Sequence, residues 1–554
     1  MKRFKRAATA AMLACVLPQA AFAASSPPNI LLILADDLGF SDITSYGGEI
    51  ETPSLDQLAG EGVRLTGFYA APTCSPTRAM LMSGTDNHLV GLGTMAEVLP
   101  FAKDLQGRPG YEGHLNDQAH SVVQLLRDGG YATYMAGKWH LGQADDQGPH
   151  AWGFDRSVTL LEGGASHFKP LPGSKVRIEN VSYREDGKPF EVPEDFFSSD
   201  FYTDKLIDYI ESGRETGKPF FAYAAYTAPH WPLHAPQEYL DKYKGRYDGG
   251  YDAIRHERIE RLKSLGLIDP QFAAALPAPV PSPQWQQLSV EERQLQARKM
   301  EVYAAMVDHL DMNIGRLVDY LKKIGAYDNT LIVFMSDNGA AGEDHAKGYS
   351  PADENTDNSL ANIGHKGSNI NYGYRWAEVS ATPFSLVKGT TAEGGIAVPT
   401  IVRLPASLGG EGGRILRGFG RVDDLAPTFL ELAGVPVPGA SYRGQPKQPM
   451  TGQSLLGMLA GKEPGAARPV AGELFGQAYV RDGDWKLVAA RAPDGSPPLP
   501  DRPYDWKLYN LAEDRGETTD LSARYPAKVE ALKAQWRSYV EWAGVAEPPS
   551  QPGR

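Results

Sequence analysis

Apolar residues fall along this chain in short, nearly continuous runs separated by stretches with a helical repeat, an alternation that predicts strands and crossover helices in turn. Asn29-Ile30-Leu31-Leu32-Ile33-Leu34 is one such run, the pattern of a strand buried on both faces of a parallel sheet. Thr52 before Pro53 reads as a helix N-cap with proline at the first position, leading Leu55 and Leu58 onto one face. Further strands are predicted over 63–70, 131–136, 219–224 and 330–335, with a last element of this layer at 399–404. Residues 121–127 are amphipathic and closed by Gly129-Gly130. Within 289–324, Tyr303, Met306, Val307, Leu310, Ile314, Leu317, Val318 and Leu321 recur at helical spacing and predict a long core-facing helix. Another helix is expected over 424–433.

Residues 434–472 are rich in Gly and Pro and read as a linker region. Beyond them, 478–480, 485–489 and 506–509 look like short antiparallel strands and 527–543 like a terminal helix. The expected fold is α/β: a domain over 24–433 built on a large mixed, mostly parallel sheet sandwiched by helices, and a smaller C-terminal α+β subdomain over 473–554. An irregular, partly helical insertion at about 240–298, with Pro277 to Pro283 as a stiff connector, is a candidate wall for a ligand site.

Composition fits that picture, since 554 residues with 42% hydrophobic and 22% charged are ordinary material for one large domain and a smaller one. The N-terminus adds an address. Lys2, Arg3, Lys5 and Arg6 precede an apolar run over 7–16, and Ala21-Phe22-Ala23 supplies small residues for cleavage, so 1–23 reads as a secretory signal peptide. The run is well short of the roughly 20 residues needed to span a bilayer. Cys15 leaves a lipidated form open as the lesser alternative. The mature protein is expected in a bacterial periplasm or beyond, with no stable membrane association. Its formal charge of −13, about −17 without the signal's four basic residues, argues against nucleic acid and anionic lipid as partners. An anionic substrate would have to be attracted locally. With Cys74 the lone cysteine left, no intrachain disulfide is expected.

The strand ends carry the chemistry, as open α/β sheets bind ligands outside the carboxyl ends of their strands. One strand ends at Asp36-Asp37 and another at Asp337-Asn338, oxygen ligands that suit Ca²⁺ or Mg²⁺ better than Zn²⁺. Each pair alone is equally a turn or cap; two adjacent carboxylates brought near a third repel unless a cation joins them. Lys138 and His140 follow a strand two residues apart and can face one side, or be ordinary solvated surface. His230, flanked by Pro229 and Pro232, is a held functional imidazole or a satisfied core histidine. Asp308-His309 and Asp344-His345 are read as structural or surface pairs. Ala71-Pro72-Thr73 is a turn and 75–82 reads as a helix with Pro76 in its first turn, which places Cys74 at a helix N-terminus and Arg78 one turn on, on the same face. A lone buried cysteine is otherwise an inert small hydrophobe.

Cys74-Ser75-Pro76-Thr77-Arg78, followed by a helix and by Ser83-Gly84, resembles the signature of the type I sulfatases, and the resemblance runs from Asn29 to about Val545, closest to bacterial arylsulfatases. It implies hydrolysis of sulfate monoesters, aryl sulfates first, to an alcohol or phenol and inorganic sulfate. It implies that a formylglycine-generating enzyme converts Cys74 to an aldehyde whose hydrate is the nucleophile, and that one Ca²⁺ is held by Asp36, Asp37, Asp337 and Asn338 and touches residue 74. Arg78 would favour ionisation of the nucleophile, Lys138 and Lys388 would bind sulfate oxygens, His230 would serve the leaving group, and His140 would take the proton of the second hydroxyl. Lys388 rests on the resemblance, through Lys388-Gly389 ahead of Glu393-Gly394-Gly395. Phosphonate monoester or phosphodiester hydrolysis and choline or carbohydrate sulfate hydrolysis are the alternatives. An inactive sulfate-binding relative is the alternative from another class, should Cys74 stay unmodified.

Overall fold

The computed structural model describes residues 27–548 apart from 172, 273–277, 279, 281, 344–351, 410, 463–467 and 493–502. The signal segment, Asp344-His345 and part of the Pro277–Pro283 connector lie outside the described residues. Ten strands make one sheet: β1 (Asn29–Ala35), β2 (Val63–Tyr69), β3 (Ala132–Lys138), β4 (Arg156–Leu160), β5 (Tyr183–Glu185), β6 (Lys188–Pro189), β7 (Phe220–Ala225), β8 (Thr330–Ser336), β9 (Thr400–Arg403) and β10 (Arg414–Arg421). Their order is β10-β2-β9-β8-β1-β7-β3-β4-β5-β6. The central five, β8, β1, β7, β3 and β4, are parallel, whereas β9 runs antiparallel to β8 and β2, and β5 antiparallel to β4. The sheet is thus mixed and mostly parallel, as expected.

The continuous apolar run of β1 has a direct cause. Leu31, Ile33 and Ala35 enter one core, packed with the long helix Val290–Lys323, while Ile30, Leu32 and Leu34 enter a second core on the opposite face with Ala79, Leu81, Leu425 and Phe429. Alternate side chains therefore need the same apolar character, at about 1.5–3 kcal/mol for each fully buried large one. Every residue of the helical stripe from Tyr303 to Leu321 is buried. That helix starts in a capping box, Ser289 Oγ accepting from Glu292 N at 3.2 Å and Glu292 Oε2 from Ser289 N at 2.7 Å.

Two local expectations change. Thr52 does occupy the N-cap position of helix Pro53–Glu61, but its hydroxyl accepts from Thr44 N instead. The free helix N–H groups go to the long helix, Ser54 N and Leu55 N donating to the Asp311 carboxylate at 2.9 and 2.8 Å. Strands β4, β5, β6 and β10 escaped the apolar-run criterion: β5, β6 and β10 lie toward the sheet's edges, where one face needs no core and Arg184, Lys188, Arg414 and Arg417 break the run, whereas β4 is buried from Ser157 to Leu160 but carries polar Ser157 and Thr159 on one face.

C-terminal to the sheet, Ser441–Tyr442 and Gln445–Pro446 pair as a small hairpin. Val470–Leu474, Gln477–Asp482, Trp485–Ala489 and Lys507–Asn510 form a four-stranded antiparallel sheet in sequence order. Helix Pro526–Ala543 covers it through Val529, Leu532, Trp536 and Tyr539. The first of these strands begins inside the stretch read from sequence as a linker. Among the described residues, no helix is long and apolar enough to cross a membrane.

Candidate active site

Because β1, β2, β3, β7 and β8 share one direction, the loops after all five open on one edge of the sheet. After β1 the chain turns through Asp36 and Asp37, with Asp37 in the left-handed region at φ 69°. Asp37 N donates to Asp337 Oδ1 at 3.2 Å and Leu38 N to Ser336 Oγ at 2.9 Å, which ties this turn to the end of β8. After β2, the turn at 71–73 is clasped by Ala71 N donating to Thr77 Oγ1 at 2.8 Å, and helix Cys74–Ser83 begins at Cys74 itself.

The Cys74 thiol donates to Asp36 Oδ1 at 3.4 Å and lies 3.9 Å from Asp37 Oδ1. One turn on, Arg78 places Nε and Nη2 on Asp337 Oδ2 at 3.0 and 2.8 Å and Nη1 on the Lys138 carbonyl at 2.9 Å. Lys138, the last residue of β3, reaches Asp36 Oδ2 at 2.7 Å. Lys388 arrives from the loop ahead of helix Glu393–Ile396, and its Nζ is 2.7 Å from Asp37 Oδ1. Asn338 Nδ2 donates to the same oxygen at 2.7 Å. In the loop after β7, His230 donates through Nδ1 to the Trp231 carbonyl at 2.6 Å, which leaves Nε2 facing Asp37 Oδ2 at 3.6 Å. His140 is the exception. Its Nε2 meets Glu97, at 3.1 and 3.3 Å from the two carboxylate oxygens, rather than the carboxylate cluster.

The electrostatics follow from burial and charge pairing. Burial pushes the Asp37 carboxyl up, but Lys388, His230 and Lys138 more than offset it and hold it well below the usual range. Asp337 is raised, by burial and then by its neighbour Asp36. Burial works against the charge of Lys388 and Lys138, yet Asp37 and Asp36 respectively keep both raised. His230 is driven down to about 3, mainly by burial, against the pull of Asp37. Burial, then Asp337, pushes the Cys74 thiol well up, so an unmodified Cys74 is a poor nucleophile.

Asp36, Asp37, Cys74 and Asp337 offer ligand atoms that all lie within 4.8 Å of one another. Asp37 Oδ2 and Asn338 Oδ1 are buried there without a hydrogen-bond partner, an arrangement that costs about 1–3 kcal/mol for each such group left unsatisfied. Convergent carboxylate and amide oxygens with unused lone pairs fit a hard divalent cation.

Residues 28–435 match the family profile described as Sulfatase. The chain belongs to the sulfatase family. It is 43% identical over 543 residues to an uncharacterised sulfatase of Schizosaccharomyces pombe, covering 95% of this chain and 96% of that one. It is 38% identical over 463 residues to an arylsulfatase of Klebsiella aerogenes, covering 82% and 97%. Among solved structures it is similar to Ps i-CgsB in complex with k-i-k-neocarrahexaose, with a TM-score of 0.66 at 25% identity over 95% of this chain and 96% of that one. The protein is a sulfuric ester hydrolase.

Four residues of the sulfatase's site had no signal in the sequence. Glu97 follows Met95-Ala96, a stretch with no periodicity, and its carboxylate is placed by its contacts with His140 and Arg177. Glu343 is half-buried with its Oε2 enclosed beside Lys388 and Asp37, and its carboxyl is raised, first by desolvation. Gly163 and Gly164 pass against the two histidines: a Cβ on Gly163 would lie 2.7 Å from His140 Cε1, and one on Gly164 2.8 Å from His230 Cε1. The bland reading of Asp308-His309 agrees with their contacts, Asp308 accepting from Tyr243 and Lys242 and His309 pairing with Asp200 at 3.0 Å.

Proposed function

We propose that this sulfatase hydrolyses aryl sulfates, with residue 74 as formylglycine and one Ca²⁺ held by Asp36, Asp37, Asp337 and Asn338. The observation that carries the reading is the convergence of Cys74 with three carboxylates inside a ring of Arg78, Lys138, Lys388 and His230. The cation would supply positive charge for sulfate oxygens and for an ionised nucleophile. The hydrated aldehyde would supply a hydroxyl nucleophile that the buried thiol cannot.

The chain's own residues account for the remaining needs. Arg78 is locked by its fork on Asp337 and by the Lys138 carbonyl, so its charge stays beside the start of the Cys74 helix. Lys138 and Lys388 each hold one carboxylate oxygen and bring cationic groups to where a tetrahedral anion would be bound. His230 has one ring nitrogen committed to Trp231, so Nε2 is the atom that can meet a departing oxygen. The Klebsiella aerogenes relative supports an aryl ester. A carbohydrate sulfate is the second reading, favoured by the neocarrahexaose in the complex of Ps i-CgsB. Export to a periplasm or beyond, on the sequence of 1–23, is part of the proposal, as is transient recognition by a formylglycine-generating enzyme.

Two measurements on protein from its native host test this together. The Cys74 peptide should resist thiol alkylation and be lighter than encoded by about 18 Da, or near the encoded mass when hydrated. The same preparation should turn over 4-nitrophenyl sulfate faster than 4-nitrophenyl phosphate or a phenylphosphonate ester. An alkylated, unmodified Cys74 would remove the nucleophile, and a phosphorus ester turned over faster would move the assignment to the phosphonate or phosphodiester hydrolases.

A further inference from the structure

His140 is held from two sides. Glu97 receives Nε2 at 3.1 and 3.3 Å, and its carboxylate is itself buttressed by Arg177 Nη2 at 3.3 Å. Against the ring, Gly163 leaves no room for a side chain, since a Cβ there would lie 2.7 Å from His140 Cε1, 2.8 Å from Nε2 and 3.3 Å from Glu97 Oε1. The His140 backbone sits in the left-handed region at φ 58°, so its direction is set by these contacts and not by a relaxed loop. Although burial would raise it, the Glu97 carboxyl is held at about 2 by His140 and Arg177. An ionised carboxylate only accepts, so the proton of the neutral ring is on Nε2. Nδ1 is then the lone-pair nitrogen, and it is buried with no hydrogen-bond partner.

We propose that Glu97 is a positioning residue for sulfate ester hydrolysis, fixing His140 as the Nε2–H tautomer so that Nδ1 takes up the proton released from residue 74. This rests on the reading in which His140 is the base. With residue 74 as the hydrated aldehyde, the proton of its second hydroxyl would pass to Nδ1 while the O–H electron pair closes the C=O bond and the C–O bond to sulfate breaks, and the positive charge gained by the ring would be stabilised through Nε2–H by the Glu97 carboxylate. The charged groups acting on the ring are Glu97, which favours its protonated form, and Lys138 and Arg78, which oppose it; Arg177 acts through Glu97.

The test is a cycle of Glu97→Ala, His140→Ala and the double variant, with Glu97→Gln as the conservative change, assayed on 4-nitrophenyl sulfate from pH 5 to 9. Glu97→Ala should lower kcat about 10–100-fold, the usual cost of losing such a supporting contact, with KM little changed. The double variant should match His140→Ala, because Glu97 acts only through that ring. In Glu97→Gln the acid limb of the kcat profile should move to lower pH, since a charge that favours the imidazolium is gone. Hydrogen–deuterium exchange at His140 Cε1, read by mass spectrometry, should show the same downward shift without any turnover. Additive losses in the double variant, a kcat unchanged by Glu97→Ala, or an unmoved exchange midpoint would overturn the proposal. A wild type that ignores 4-nitrophenyl sulfate would instead sink the aryl ester reading and leave the exchange measurement to decide on Glu97.

Discussion

His88 should make this protein less stable as pH rises from about 6.5 to about 9. Its ring is buried where the large sheet's body meets the C-terminal subdomain. Nε2 lies 3.1 Å from Glu473 Oε2 and Nδ1 3.4 Å from Asp86 Oδ1, while the Tyr539 hydroxyl reaches both Asp86 oxygens at 3.2 Å and His88 Nδ1 at 3.3 Å. Tyr111 closes one side edge-on at 5.7 Å, and Arg421 approaches Asp86 at 3.8 Å. Burial alone would lower the imidazole, but hydrogen bonds and charge from Asp86 and Glu473 overcome it and raise the group from 6.5 to about 9. A rise of that size corresponds to about 3 kcal/mol of preference for the charged ring in the folded state. The group is raised above its unfolded value, so the stabilisation is fully present below about pH 6.5 and is lost as pH climbs through about 9. The measurement is urea unfolding of wild type and His88→Gln at pH 6 and pH 10, taking the difference of differences so that pH-independent packing losses cancel. The wild-type advantage should shrink by about 3 kcal/mol between the two pH values. An advantage that stays constant, or that grows with pH, would refute the charged clamp and leave His88 a neutral packing residue.

Protein stripped of divalent cations should gain thermal stability on adding Ca²⁺, by about 3–4 kcal/mol at 100–1,000 times the dissociation constant, and Asp337→Asn should blunt the gain. Differential scanning calorimetry reads this without substrate, and no response to Ca²⁺, Mg²⁺ or Mn²⁺ would remove the cation from the proposed site. Asp311→Ala should cost about 1–2 kcal/mol, with Asp311→Asn in between, because two N–H groups at the start of helix Pro53–Glu61 lose their acceptor. Urea midpoints equal to wild type would show that the Thr52 hydroxyl takes over the cap.

Strand β1 was legible because a strand between two cores leaves no polar position, and Asn29 to Leu34 obeys that limit. The long helix was legible for the related reason that its stripe must match one face for its whole length. Strand β10 and the edge strands β5 and β6 were not, since a strand with a solvated face and few apolar residues carries no obligatory pattern. The N-cap at Thr52 failed differently. A local rule identified a competent acceptor, but Asp311, 256 residues from Leu55 in sequence, supplies the bonds. No local window contains that information.

The same distinction divides the site. Asp36-Asp37 and Asp337-Asn338 stand out in sequence because a pair of carboxylate or amide side chains closing an apolar strand is not satisfied by its own neighbours, and in the fold Asp36 and Asp37 find partners 102 and 351 residues away, in Lys138 and Lys388. Cys74 and Arg78 stand out because helical spacing fixes their relation before any tertiary contact forms. Glu97, Gly163 and Gly164 have neither property. Their residue types are at home in any loop, and what makes them matter is which imidazole each one faces, a fact created only when the loops after β3, β4 and β7 meet the segment that follows helix Cys74–Ser83. Groups that must be charged or reactive leave a trace in the sequence because they violate local preference, whereas groups that aim them need only be the right size in the right place. The aiming residues of such a site are therefore found by asking, for each buried imidazole, what fixes its proton and what limits its ring, and for His140 the answers are Glu97 and Gly163.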